Sequence, residues 1–152
     1  MIVAAAFLAS MLFGIIFDVP PRALVGAAVA GTASWTLYTL LQGYGMGSVG
    51  ATFVATLASG LYAELMARIG RNPVTVFIVP GIIPLVPGAG AYYTMLYLVK
   101  SDFSQGLSMG MQTMMLAGAI AAGVALISII FRVIGRESSG MDVDIGNPES
   151  LG

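Results

Sequence analysis

Long apolar stretches, separated by short groups of charged residues, prolines and glycines, make up most of this chain. Charge-free stretches cover residues 23–63, 72–99 and 103–131. Each is at or beyond the roughly 20 apolar residues that a helix needs to cross the hydrocarbon of a bilayer. The pattern therefore predicts an all-α integral membrane protein with about five transmembrane helices, at about residues 1–17, 23–41, 49–67, 74–99 and 106–131.

Composition agrees with a membrane solvent and excludes several function classes. Of 152 residues, 58% are hydrophobic and 9% are charged, whereas soluble domains carry about 25% charged residues. A net charge of −1 gives no basic field for nucleic acid. The chain has no cysteine and no histidine, so the commonest metal ligand and general base is missing. We expect no enzyme, no catalytic residue, no metal and no cofactor.

Cationic residues predict the orientation of the helices, because short cytoplasmic loops retain lysine and arginine. With five full crossings only Lys100 falls on one side, and five arginines fall on the other: Arg22, Arg68, Arg71, Arg132 and Arg136. A fourth segment that dipped in and returned would remove this asymmetry. We therefore expect a multi-pass protein of a bacterial-type plasma membrane, with the N-terminus outside. The first 17 residues lack a basic n-region, so we expect a retained span.

Polar residues dominate the end of the sequence. We expect the transmembrane domain to cover residues 1–136. Residues 137–152 mix Gly, Ser, Asp, Asn and Pro with few apolar side chains, which is typical of a disordered tail. That tail is acidic and would be cytoplasmic.

The fourth apolar segment is interrupted at residues 79–90, which read Val-Pro-Gly-Ile-Ile-Pro-Leu-Val-Pro-Gly-Ala-Gly. A proline inside a helix removes a backbone donor and clashes with the carbonyl four residues earlier, at a cost of about 3 kcal/mol. Three prolines in twelve residues predict a bent or unwound backbone, with the break beginning at Pro80 and Gly81. Irregular backbone at membrane depth is tolerated only where protein covers it or where it lines a watery cavity.

A ligand site follows from this break, because the half-helix after it would present free N–H groups and a positive dipole end to an anionic group. Hydroxyls and aromatic walls follow directly. The candidate substrate-contacting residues are Pro84, Pro87, Gly88, Ala89, Gly90, Tyr92, Tyr93 and Thr94. The alternative is a proline-kinked helix whose freed groups are satisfied by neighbouring helices, without a ligand.

Glu64 is the only carboxylate inside an otherwise apolar span. Intramembrane acids often relay protons or ions. Arg68 lies one helical turn away, so the competing and favoured interpretation is an interfacial ion pair.

Several small residues and aromatic residues have ordinary structural interpretations. Small residues recur four apart at Gly26 and Ala30, Gly106 and Gly110, and Gly118 and Ala122. This spacing permits a dimer seam, although internal packing is the more ordinary interpretation. Trp35, Tyr38 and Tyr97 are most simply interfacial anchors.

Two motifs carry a family resemblance. Residues 80–88, followed by Ala91 and Tyr92, together with residues 17–24 (Phe-Asp-Val-Pro-Pro-Arg-Ala-Leu), resemble the threonine/serine exporter family. The chain is similar to its small-subunit type, as in the two-subunit bacterial succinate exporter. Pro84, Pro87 and Gly88 match the core motif, and the first-loop motif includes Asp18, Pro20, Arg22 and Leu24. The resemblance implies export of small carboxylate-bearing metabolites, either threonine and serine or a dicarboxylate such as succinate, alongside a larger membrane subunit.

The leading function hypothesis is therefore a subunit of a secondary exporter. No G-x-x-x-x-G-K loop is present to use ATP. Five spans are few for a complete transporter, so a partner chain or a homo-oligomer would supply the other wall of the pathway. The alternative is a non-transporting membrane scaffold that assembles a partner subunit.

Overall fold

The computed structural model describes the backbone of residues 2–140 and the side chains of residues 3–133. Every regular element in that range is helical. The elements are α1 (Ile2–Ile16), α2 (Pro21–Gly43), α3 (Ser48–Gly70), α4 (Thr75–Ile82), a 3-10 turn (Ile83–Leu85), α5 (Gly88–Val99) and α6 (Phe103–Gly140).

The prediction of an all-α membrane protein with about five transmembrane helices is confirmed. Helices α2, α3 and α6 are each long and apolar enough to cross a bilayer, and α4 with α5 forms one further span that bends by 48°. Helix α1 is apolar but shorter, with 15 residues, or about 22 Å of helix.

Helices α3 and α6 run parallel, which fixes the path of the chain between them. A Cβ built on Gly60 would lie 3.1 Å from Ile127, and one built on Gly123 would lie 2.9 Å from Thr56. The numbers of the contacting residues thus increase in the same direction along both helices. The intervening α4 and α5 must carry the chain from one end of the bundle to the other, because a segment that dipped and returned would leave α6 antiparallel to α3.

The two ends of the bundle are chemically distinct. We define the lysine end by the turns at residues 44–47 and 100–102, and the arginine end by the turns at residues 17–20 and 71–74. Lys100 lies at the lysine end, whereas Arg22, Arg68 and Arg71 lie at the arginine end.

Helix α2 is the centre of the bundle, since it packs on α1, α3, α4 and the 3-10 turn. Its buried face is built of small residues, and Ala27, Ala28 and Ala30 are fully buried. Small side chains let helix backbones approach closely in lipid, where no hydrophobic force drives helices together. Helix α5, in contrast, packs on α6 and has no buried residue.

Most of the small-residue pairs serve internal packing. Gly26 lies against Phe77, Gly106 against Leu98 and Gly110 against Thr94. Gly118 is open, with no atom within 4 Å of a Cβ built on it.

Helix α6 extends further than the predicted span end at residue 131. It continues to Gly140 and so enters the predicted tail, because charged residues end an apolar stretch without ending a helix. The remainder of that tail, residues 141–152, lies outside the described residues.

Candidate functional site

The break in the fourth span lies at residues 83–87, later than predicted. Pro80 and Gly81 lie inside α4 rather than at its end. The helix becomes a 3-10 turn at Ile83, and Val86 then adopts an extended conformation with φ −63° and ψ 125°. A transmembrane helix can tolerate a proline such as Pro80 where neighbouring helices satisfy the freed backbone groups.

Pro84 explains why the helix cannot continue. It has no N–H, so the Pro80 carbonyl loses its α-helical partner and the Gly81 carbonyl loses its 3-10 partner. The hydroxyl of Ser34 on α2 lies 2.6 Å from the Gly81 carbonyl and donates to it. Gly31 permits this approach, since a Cβ there would lie 2.9 Å from the Pro80 oxygen.

Two further serines surround the same turn of α4. Ser10 on α1 lies against Gly31, and Ser59 on α3 lies against Gly81. Both side chains are buried, and neither hydroxyl has a hydrogen-bond partner among the described residues. Three helices therefore place hydroxyls around the end of α4.

Helix α5 begins with unpaired amides. Gly88 N–H donates to the Val86 carbonyl at 2.8 Å, and Ala91 N–H donates to the Pro87 carbonyl at 3.1 Å. No side chain caps this terminus, and the amides of Ala89 and Gly90 have no partner among the described residues. Free N–H groups at a helix N-terminus attract anions, because they combine hydrogen-bond donors with the positive end of the helix dipole.

The residues that carry these amides, Ala89 and Gly90, line a cavity of about 440 Å³ between α2, α3, the break and α6. Its volume falls within the roughly 300–1,000 Å³ typical of small-molecule sites. It is lined by Trp35, Tyr38, Thr52, Pro84, Leu85, Val86, Pro87, Gly88, Ala89, Gly90, Met109, Gln112, Thr113 and Leu116.

The polar groups of the cavity wall are uncharged. Tyr38 accepts a hydrogen bond from Gln42 at 2.9 Å, so its own hydroxyl proton remains available. The buried indole N–H of Trp35 has no partner among the described residues, and its ring packs 5.4 Å from that of Tyr38. None of the lining residues is Lys, Arg, Asp or Glu. An anionic group here would rely on backbone amides and the dipole of α5.

Five of the predicted contact residues line the cavity: Pro84, Pro87, Gly88, Ala89 and Gly90. The other three do not. Tyr92 and Tyr93 are 63% and 44% exposed, and their rings meet edge to face outside it, with centroids 5.4 Å apart. Thr94 lines a separate apolar groove of about 480 Å³ between α5 and α6, because its position on α5 faces Gly110.

Sequence reasoning missed the walls that other helices contribute. Trp35 lies eight residues before the end of α2, about 12 Å along the helix, which is deep for an interfacial anchor. Gln112 is an amide within an apolar span, and such polar residues mark functional positions in membranes. The sequence contained both signals, but it did not show that α2 and α6 lie against the break.

Glu64 is half-buried on α3. Arg68 does not pair with Glu64 among the described residues; its guanidinium instead lies 5.1 Å from the centre of the Phe131 ring. Glu64 does not line the cavity at the break.

The first-loop motif lies at the arginine end, away from the cavity. Asp18, Pro20 and Arg22 are exposed, and Asp18 adopts a left-handed conformation with φ 52°. Val19 anchors this turn against Phe77, near the start of α4. The two motifs are therefore at different levels of the bundle.

The chain is similar in sequence to known proteins. The family model described as "Threonine/Serine exporter, ThrE" matches residues 2–130. The chain belongs to the threonine/serine exporter family. The description of this family is that of an exporter. An uncharacterized protein of Haemophilus influenzae is 37% identical over 128 residues, which cover 78% of this chain and 43% of that relative. No solved structure matches the chain.

Proposed function

We propose that the chain is a subunit of a secondary exporter of small carboxylate-bearing metabolites, which it holds at the broken fourth span. The proposal depends mainly on one observation: Ala89 and Gly90, whose amides have no partner among the described residues, line a cavity of small-molecule size. These amides suit a carboxylate. The family description supports export as the activity.

The cavity favours a zwitterionic amino acid such as threonine or serine over a dicarboxylate. A carboxylate at the start of α5 would leave an ammonium group to face the rings of Trp35 and Tyr38, and cations bind favourably over such rings. The second carboxylate of succinate would find no cationic side chain among the lining residues. Desolvating an unpaired charge is costly.

A second chain completes the exporter in this proposal. The chain spans 43% of the length of its curated relative, and no residue of α5 is buried. A larger membrane subunit of the same family would cover this surface, with a homo-oligomer as the competing arrangement. The arginine end would face the cytoplasm of a bacterial-type plasma membrane.

Replacing one amide tests the site. Ala89→Pro removes an N–H from the first turn of α5, where proline is tolerated. Loss of one hydrogen bond to a charged group should raise the half-saturating concentration of threonine or serine by about tenfold. Efflux would be measured in cells that express the chain with its larger subunit, using threonine, serine and succinate.

Ala89→Gly is the matched control, since it keeps the amide and removes only a methyl group. Its half-saturating concentration should stay near that of the unmodified chain. Equal half-saturating concentrations for Ala89→Pro and Ala89→Gly would place the ligand elsewhere.

The scaffold hypothesis predicts a different result. A scaffold would raise the amount of its partner in the membrane, whereas Ala89→Pro would leave efflux per partner molecule unchanged. The polar cavity at the break is the observation that favours transport, because a docking surface needs no unpaired amides at its centre.

A further inference from the structure

Helix α6 carries a line of exposed polar side chains near its start. Ser104, Ser108 and Gln112 follow one another at intervals of four residues, with Gln105 beside them. Gln112 lies about 14 Å along the helix from Phe103, and its neighbour Thr113 lies against Gly90 at the start of α5. The polar line thus runs from the start of α6 to the level of the break.

The next part of α6, from Leu116 to Phe131, is almost entirely apolar. Between Leu116 and Phe131 the only side chain with a hydrogen-bonding group is that of Ser128, and its hydroxyl donates to the Val124 carbonyl of its own helix at 2.8 Å. Between Phe103 and Phe131, the line of polar side chains is therefore confined to the part of α6 beside the break.

These side chains line a cleft that adjoins the cavity at the break. The cleft has a volume of about 280 Å³ and is formed by Tyr97 of α5 with Ser104, Gln105, Ser108, Met109 and Gln112. Met109 and Gln112 also line the cavity at the break. The two spaces therefore meet at Gln112.

Lipid is a poor neighbour for this cleft. Polar groups without hydrogen-bond partners cost several kcal/mol in hydrocarbon, on the order of 2–7 for an amide or hydroxyl. The opposite side of the α5–α6 pair suits lipid instead, since its groove is lined by Met95, Leu98, Leu107, Met111 and Met114. The two sides of one helix pair thus have opposite chemistry.

We propose that this cleft is a second binding position, through which a small polar ligand passes between the broken span and the lysine end. Amide groups of Gln105 and Gln112 can donate to a carboxylate and accept from an ammonium group. Gln112 contacts the ligand in both positions. The proposal rests on the proposed function, because it assigns a route to the ligand of that site.

Single cysteines test the route directly, because the chain has none of its own. Ser104→Cys, Ser108→Cys and Gln112→Cys would each be treated with a charged thiol reagent that cannot cross the membrane, applied to the complete exporter in vesicles of either orientation. Leu107→Cys and Met111→Cys are matched controls at the same depth on the lipid side. The thiolate is the reactive form of cysteine, and apolar surroundings disfavour it. The three cleft cysteines should therefore react at least about tenfold faster than the two control cysteines.

A ligand effect separates this proposal from the proposed function. Threonine or serine should slow the reaction of Gln112→Cys more than that of Ser104→Cys. Equal rates at Ser108→Cys and Leu107→Cys would overturn the cleft, even if Ala89→Pro weakens transport. Rapid labelling of the cleft positions without protection by threonine, serine or succinate would overturn a ligand route.

Gln112→Leu gives an independent readout. It keeps the approximate size of the side chain and removes its hydrogen bonds, so efflux at saturating substrate should fall at least about fivefold. Ser128→Ala, on the apolar half of the same helix, should leave efflux unchanged. Full efflux in Gln112→Leu would overturn the assignment of Gln112.

Discussion

At the scale of single residues, the break depends on a hydroxyl supplied by another helix. Pro84 lacks the N–H that would bond to the Pro80 carbonyl in an α-helix or to the Gly81 carbonyl in a 3-10 helix, and the Ser34 hydroxyl donates to the Gly81 carbonyl instead. The prolines alone predicted that the fourth span is broken. They could not predict that Pro80 and Gly81 stay helical, because that depends on Ser34 of α2 and on its close approach at Gly31.

Ser34→Ala should destabilise the protein by about 1 kcal/mol, since it leaves a buried carbonyl unpaired and hydrogen bonds between membrane helices are of modest strength. Unfolding in detergent would measure the difference. Ser128→Ala is the control, because Ser128 is exposed and bonds only to its own helix. Equal stability of the two variants would show that the Gly81 carbonyl finds another partner.

At the scale of elements, α5 packs closely on α6 at three glycines, one on α5 and two on α6. Gly90 meets Thr113, Gly110 meets Thr94 and Gly106 meets Leu98. This antiparallel pair fixes the direction in which the start of α5 points. It also explains why Thr94 does not line the cavity at the break: the 3.6-residue period turns its side chain toward α6. The sequence predicts the helical period of α5, but it does not predict that α5 packs on α6.

Gly90→Ala should disturb the site through this contact. An added Cβ would collide with the Thr113 hydroxyl, and overpacking of this kind costs about 1–3 kcal/mol. We expect weaker threonine or serine binding, because the first turn of α5 must move away from α6. Binding to the purified exporter would be measured by calorimetry.

The Gly90→Ala/Thr113→Ala double variant provides the control. Removing the obstructing hydroxyl should restore most of the lost affinity, because the effects of substitutions at contacting residues are not additive. A double variant as weak as Gly90→Ala alone would show that the effect does not arise at the α5–α6 contact.

At the scale of the whole molecule, the parallel packing of α3 and α6 agrees with the count of cationic residues. The count predicted five crossings from charge alone, and the contacts of Gly60 with Ile127 and of Gly123 with Thr56 require the bent pair to cross. The sequence could predict this path because hydrophobicity and charge set it. It could not predict that α5 lies outside the core, since its apolar residues look the same whether they meet lipid or protein.

Cysteines in or next to the four turns test the path and the orientation together. Tyr44→Cys and Ser101→Cys lie at the lysine end, and Phe17→Cys and Thr75→Cys lie at the arginine end. If arginines mark the cytoplasmic side, an impermeant thiol reagent should label the first pair in intact cells and the second pair only after permeabilisation. Labelling of Ser101→Cys together with Thr75→Cys would mean that the fourth segment turns back. A complete reversal of the two pairs would leave five crossings in place and contradict the orientation. The expected pattern instead places the polar cleft, which opens at the lysine end, on the outer face, where an exporter must release its substrate.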